Sequence, residues 1–226
     1  MMNYVVATSK DWFLNLPKSE EYRQLSIDYI SDRADLSIEN LEKINPRYIF
    51  FPHWSWKIDS EIYNRYECIL FHTAPLPYGR GGSPVQNLIL KGFKKSPVCA
   101  LRINETLDAG PIYCKQEVSL KGNIDSIFAR IGALIEDMII YICINKPTPI
   151  DQEGDPYTFK RLSYKDNELN SAFSLDEIYD RIRMVDGKDY KSSYISFGQY
   201  KIEFTNAEIK NNEISAKIKI SYKNKE

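Results

Sequence analysis

Residues 68–91 read CILFHTAPLPYGRGGSPVQNLILK, and this stretch decides the fold. Cys68-Ile-Leu-Phe-His72 is apolar at consecutive positions up to its histidine. A strand of that kind is buried on both faces, as in a parallel sheet covered by helices. His72 then falls at the carboxyl end of the strand, the edge where open α/β sheets bind ligands. An imidazole there can take or give a proton near neutral pH. In the following segment Pro75, Pro77 and Pro84 stiffen the chain, while Gly79, Gly81 and Gly82 let backbone lie close to a ligand. Such a loop can present main-chain donors and acceptors to a flat heterocycle. Ser83-Pro84 reads as an N-cap plus first-turn proline, which predicts a helix to Lys91 with Gly92 as its stop.

Working outward, Asn3–Thr8, Gln24–Ser31 and Tyr48–Pro52 are further strand signals. Asp11–Tyr22 is helical or irregular. Leu36–Ile44 is a short helix, with Ser37 the better N-cap and Asn40 the weaker. Glu61–Tyr66 gives a helical turn. Downstream, strands at Val98–Ile103 and Ile112–Val118 flank a tight turn, Asp108-Ala-Gly-Pro111. Apolar residues at threes and fours from Ile124 to Ile142 predict one long helix over Asn123–Ile144. The tract KPTPIDQEGDP at 146–156 is rich in proline and charge and marks the end of the main domain. Beyond it, Leu175–Met184 is a helix opening at Ser174. Ser193–Phe197, Tyr200–Phe204 and Ile214–Ser221 form a small antiparallel sheet. The expectation is an α/β chain. Residues 1–155 form a Rossmann-like, mostly parallel sheet with helices on both faces. Residues 156–226 form a small helix-plus-β unit.

Bulk properties narrow the function. The 226 residues carry a formal net charge of −1, so no basic excess is available to displace counterions from nucleic acid. The four cysteines form no C-x-x-C pair and only two histidines exist, so no metal site is expected. Cys68, Cys99 and Cys143 sit in apolar runs and read as reduced core residues. The N-terminus lacks the pattern of a signal peptide, and the longest apolar run, Met138–Ile144, is too short to span a bilayer. A cytoplasmic protein without nucleic-acid or membrane partners is expected, its oligomeric state open, a homodimer included.

Taken alone, a histidine at a strand end is more often structural than catalytic, and an aspartate before Ala-Gly is usually a turn former. The combination is sharper. His72-x-x-x-Leu76-Pro77, Arg80-Gly81, Pro84-x-Gln86 and then Leu107-Asp108-x-Gly110 resemble the folate-dependent formyltransferase family. That family includes glycinamide ribonucleotide, methionyl-tRNA and nucleotide-sugar formyltransferases. The resemblance covers Tyr48–Lys160 well, without gaps from His72 to Gln86. It implies 10-formyltetrahydrofolate as donor and a primary amine as acceptor. It also implies His72 as general acid, general base or oxyanion donor. Asp108 would orient or charge-stabilise His72 and help remove the amine's extra proton. Pro75, Leu76, Pro77, Arg80, Gly81 and Asp108 are the expected donor-binding set, with Arg80 either contacting the acceptor or bracing the loop.

One position departs from the family pattern, which places an asparagine two residues before the histidine to hydrogen-bond the formyl oxygen. Here that position is Leu70, which donates nothing. His53, in Pro52-His-Trp-Ser-Trp56, leaves the preceding strand at the same sheet edge and is the nearest substitute. Ser55 and the indole N–H of Trp54 are alternatives. Trp54 is also expected to contact the folate pterin, because stacking needs a flat ring. Packing explains this aromatic cluster equally well.

The first strand is followed by Ala7–Trp12 without glycine, unlike the phosphate-binding turn of glycinamide ribonucleotide enzymes. Ile178–Phe204 loosely resembles the small C-terminal unit of nucleotide-sugar enzymes. A nucleotide-linked amino sugar is therefore the expected acceptor, in assembly of a surface glycan such as lipopolysaccharide. The alternatives are another amine, including one like methionyl-tRNA, a formyl-folate hydrolase, and a disabled ligand-binding relic.

Overall fold

The computed structural model describes residues 2–223. In chain order the elements begin β1 (Asn3–Thr8), α1 (Glu20–Arg23), β2 (Ser26–Ile30), α2 (Ile38–Ile44), β3 (Pro46–His53), α3 (Ser60–Arg65) and β4 (Cys68–Thr73). Next come β5 (Tyr78–Gly81), α4 (Pro84–Leu90), β6 (Lys95–Arg102), β7 (Ile112–Ser119) and α5 (Ile124–Asn145). The chain ends with β8 (Tyr157–Phe159), a 3-10 turn (Tyr164–Asn167), α6 (Leu175–Arg183), β9 (Ser193–Phe197), β10 (Tyr200–Lys210) and β11 (Glu213–Tyr222). Two compact units share the chain. The first holds Met1–Gly81, Ser96–Val118 and Phe128–Thr158, and the second Gly82–Lys95, Ser119–Ile127 and Phe159–Glu226.

The first unit is built on a six-stranded sheet of order β2-β1-β3-β4-β6-β7. β2, β1, β3 and β4 run parallel, and β6 returns antiparallel to β4. This is the α/β, mostly parallel sheet read from the apolar runs. Val5, Val6, Ile49, Phe50, Phe51 and Ile69 are fully buried because helices cover both faces. On one face Val5, Ala7, Ile49, Phe51 and Cys68 cluster with Leu41 of α2 and Ile62 of α3. On the other, the Tyr4 hydroxyl reaches Cys143 of α5. Each such apolar side chain contributes roughly 1.5–3 kcal/mol by leaving water.

Local signals explain most boundaries. Ser37 caps α2, its hydroxyl accepting the Asn40 N–H, and Asn45 ends the helix in the left-handed region. Ser174 and Glu177 form a reciprocal capping box at α6. Ser83 takes the N-cap position before Pro84 as read, but it makes no capping bond and sits at φ 52°. Its hydroxyl instead accepts the Leu162 N–H at 3.1 Å. The neighbouring Gly82 is so close to Arg161 that a Cβ would lie 2.6 Å from that residue's Cβ. Segment Asp11–Tyr22 is a loop closed by the four-residue α1.

The second unit sets α6 on the antiparallel sheet β11-β10-β9. Buried Arg183 donates to Asp180 and to the Gly122 carbonyl, which ties α6 to the segment before α5. β10 and β11 run longer than their apolar alternation suggested. Among the described residues no helix is long and apolar enough to cross a membrane.

Between β6 and β7, Gly110 meets the Arg102 carbonyl so closely that a Cβ would lie 1.6 Å from its oxygen. Arg102 N–H in turn donates to Pro111 O at 2.8 Å. Gly110→Ala must push β6 from the turn, at a cost of about 3 kcal/mol or more. For a chain of this size each kcal/mol moves the melting temperature by about 2–4 °C. Thermal unfolding of Gly110→Ala checks this, and an unchanged melting temperature would refute the close packing.

Candidate active site

β4 carries His72 to its last turn of chain, where the ring is 6% exposed. Nε2 lies 2.7 Å from the Gly79 carbonyl. A carbonyl only accepts, so Nε2 carries a proton and donates it. The loop brings that carbonyl back to the strand through a tight turn, with Tyr78 N–H donating to Pro75 O. Gly79 and Gly81 have φ of 93° and 96°, values that suit glycine.

The other face of the ring meets Asp108. Nδ1 and Oδ2 are 3.6 Å apart, and both side chains are buried. The same Oδ2 accepts the Gly81 N–H at 2.8 Å. Asp108 itself has φ 52°, a left-handed backbone that costs a non-glycine residue about 1–3 kcal/mol. The turn therefore holds the carboxylate against the imidazole at the expense of local strain. The ring stands between two acceptors, so a proton arriving at Nδ1 meets an anion. This arrangement can take a proton from a bound group and hold the resulting charge.

His53 ends β3. Phe51 is level with Leu70 on the neighbouring strand, and His53 and His72 are each two residues further along. A register shift at the end of β3 pairs His53 with Thr8, so His53 reaches the same sheet edge as His72 but not the face that Leu70 and His72 share, and its ring meets Trp12 edge-on at 6.5 Å between ring centres. Ser9 holds His53 from β1. Its N–H donates to the His53 carbonyl at 2.9 Å, and its Oγ lies 3.3 Å from Nδ1 and 2.8 Å from Ser55 Oγ. Leu70 packs against the apolar cluster on the α2 and α3 face of the sheet. Trp54 packs there too, edge-on to Phe51 and to Trp56 at 5.9 and 5.0 Å between ring centres.

In the loop, Leu76 and Pro77 are buried and Pro75 is half-buried. Pro77 O accepts the Tyr157 N–H, and the Tyr78 and Tyr157 rings stack at 4.9 Å. Below the loop, the Cys99 thiol donates to Ala74 O at 3.3 Å, and burial pushes its pKa up to about 11. It props the loop and is no nucleophile. Arg80 turns to Gln152, donating through Nε at 3.1 Å and a terminal nitrogen at 2.8 Å. Gln152 donates onward to Asp108 O and Gly110 O. Sequence reasoning assigned 146–156 to a domain end and missed Gln152. It also missed the Gly79 carbonyl and Ser9.

A solved methionyl-tRNA formyltransferase from Clostridium thermocellum is 37% identical, covers 99% of this chain and 100% of its own, and superposes with a TM-score of 0.92. The chain belongs to the formyltransferase family. A family model described as the methionyl-tRNA formyltransferase C-terminal domain matches residues 164–221. The methionyl-tRNA formyltransferase of Clostridium botulinum is 30% identical over 158 residues, 66% of this chain and 50% of that protein. This formyltransferase chain spans about half to three-fifths of the length of the curated relatives it matches, at 50%, 61% and 58%. A 4-N formyltransferase from Francisella tularensis shares the fold at 17% identity and TM-score 0.63, covering 86% of this chain and 92% of its own.

Asp108→Asn keeps the shape and an acceptor for Gly81 N–H but removes the charge facing His72. Formyl transfer should fall by about 10²–10⁴-fold, with the melting temperature within about 4 °C of wild type. Steady-state kinetics beside thermal unfolding checks this. Activity within tenfold of wild type would remove the carboxylate's charge from the chemistry.

Proposed function

We propose that this chain moves a formyl group from 10-formyltetrahydrofolate to a primary amine. The observation that carries the reading is the buried His72 ring held between the Gly79 carbonyl and the Asp108 carboxylate. As the amine nitrogen bonds to the formyl carbon, negative charge moves to the formyl oxygen and the nitrogen becomes acidic. His72 and Asp108 take up the amine's proton. Collapse of the tetrahedral species breaks the bond to the folate nitrogen, which accepts a proton and leaves as tetrahydrofolate. Leu70 cannot bond the charged oxygen, so in this reading His53 supplies that donor from the end of β3, at the same sheet edge as His72. Pro75, Leu76, Pro77 and Gly81 shape the donor site with Arg80, and Trp54 borders it.

For the acceptor, methionyl-tRNA stands first. Relatives at 37% and 30% identity carry that name, and a match to the methionyl-tRNA formyltransferase C-terminal domain supports it. This ordering reverses the expectation of an amino sugar. The nucleotide-linked amino sugar remains the second reading, favoured by a formal net charge of −1 that offers a polyanion no general attraction.

The deciding assay offers 10-formyltetrahydrofolate with methionyl-tRNA and, separately, with uridine-, thymidine- and guanosine-diphosphate amino sugars, and follows tetrahydrofolate release. Turnover with methionyl-tRNA is expected. Turnover with a sugar alone selects the second reading, and release without any acceptor identifies a hydrolase. In the active pairing His72→Asn should lose about 10²–10⁴-fold in kcat. His53→Ala should lower kcat by about 10²-fold while leaving the donor KM nearly unchanged. A His53→Ala effect confined to KM would leave the oxygen's donor elsewhere.

A further inference from the structure

Gln152 lies in a tract without helix or strand, yet its amide is fully engaged. An amide offers two N–H donors and one oxygen with two lone pairs. Both donors go to backbone carbonyls, Asp108 O at 2.8 Å and Gly110 O at 2.9 Å. The oxygen accepts twice from Arg80, at 3.1 and 2.8 Å. The partners fix the orientation of the amide, since carbonyls require N–H and a guanidinium requires oxygen. Among side chains only a carboxamide, that of glutamine or asparagine, meets both demands at once. Backbone pairing places it. Ile112 and Ile150 exchange N–H···O bonds of 2.7 and 2.9 Å, so the tract runs alongside the start of β7 and Gln152 follows two residues later.

The two ends of this clasp are different parts of the site. Arg80 belongs to the loop that turns Gly79 O onto His72. Asp108 is the strained residue whose carboxylate faces His72 and holds Gly81 N–H. We propose that Gln152 is a positioning residue that couples the Arg80 loop to the Asp108 turn, so that the donor-holding and proton-handling parts of the site move as one body. The role rests on the formyl-transfer reading for its catalytic consequence. The coupling itself does not need that reading.

Gln152→Glu separates the two arms. A carboxylate still accepts from Arg80 but donates nothing, and it sets negative charge against two carbonyls. Gln152→Met removes both arms. The primary readout is the Gly81 amide, whose exchange with deuterium reports the bond to Asp108. In Gln152→Glu this amide should exchange at least about tenfold faster, while amides of β1 and β3 keep their protection. With the acceptor found above, kcat should fall about 10- to 100-fold, and the dissociation constant for tetrahydrofolate should stay within about threefold. In Gln152→Met both kcat and tetrahydrofolate affinity should drop.

Wild-type Gly81 exchange together with wild-type kcat in Gln152→Glu would overturn the proposal. Collapse of the dispersed amide spectrum in that variant would also overturn it, by showing that Gln152 holds the fold and not the site. If wild-type protein neither binds tetrahydrofolate nor releases it, the formyl-transfer reading fails, and Gly81 exchange still decides the coupling.

Discussion

The structure of the site depends on one constraint, the placement of a carboxylate against an imidazole inside the protein. Asp108 adopts a left-handed backbone, which few residues other than glycine, asparagine and aspartate take up. It stays there because its Oδ2 receives the Gly81 N–H, its carbonyl receives Gln152, and Gly110 allows the turn to close on Arg102. An unpaired carboxylate in this position would carry a large desolvation cost. Here a backbone amide and the His72 ring answer it. The charge is therefore oriented before any substrate arrives, which is what stabilising a developing charge requires.

The fold supplies the rest by geometry. Parallel strands deliver residues from different segments to one edge, so His53 from the end of β3 and His72 from β4 reach the same edge of the sheet. Ser9 joins them from the end of β1. Apolar packing below this edge fixes the strand ends, and Leu70 belongs to that packing.

Much of this was legible in the chain because local chemistry and global fold agree. The run to His72 has no polar break, so a doubly covered strand was the reading open to it. The glycines and prolines after it announce a loop that turns back. Ser37 and Ser174 cap their helices as their side chains predict. Ser83 holds the N-cap position before Pro84, but its hydroxyl is taken by the Leu162 N–H, a long-range contact that no local preference anticipates. Gln152 was invisible for a different reason. Its tract has no periodicity, and its position follows from the pairing of Ile150 with Ile112, a contact no short-range pattern encodes. Acceptor choice was the weakest inference from sequence, because net charge and aromatic content bear on it only indirectly, and comparison with relatives reverses the order of the two candidates.

The most direct test of the account is where a folate settles on the protein. Isotope-labelled protein titrated with tetrahydrofolate, and followed by amide chemical shifts, locates the ligand without any acceptor. The account predicts saturable shifts at Gly79, Gly81, Ala109 and Gly110, with β10 and β11 undisturbed. Saturable shifts confined to β9, β10 and β11, with Gly81 and Ala109 unmoved, would contradict the assignment of His72 and Asp108 as the catalytic centre.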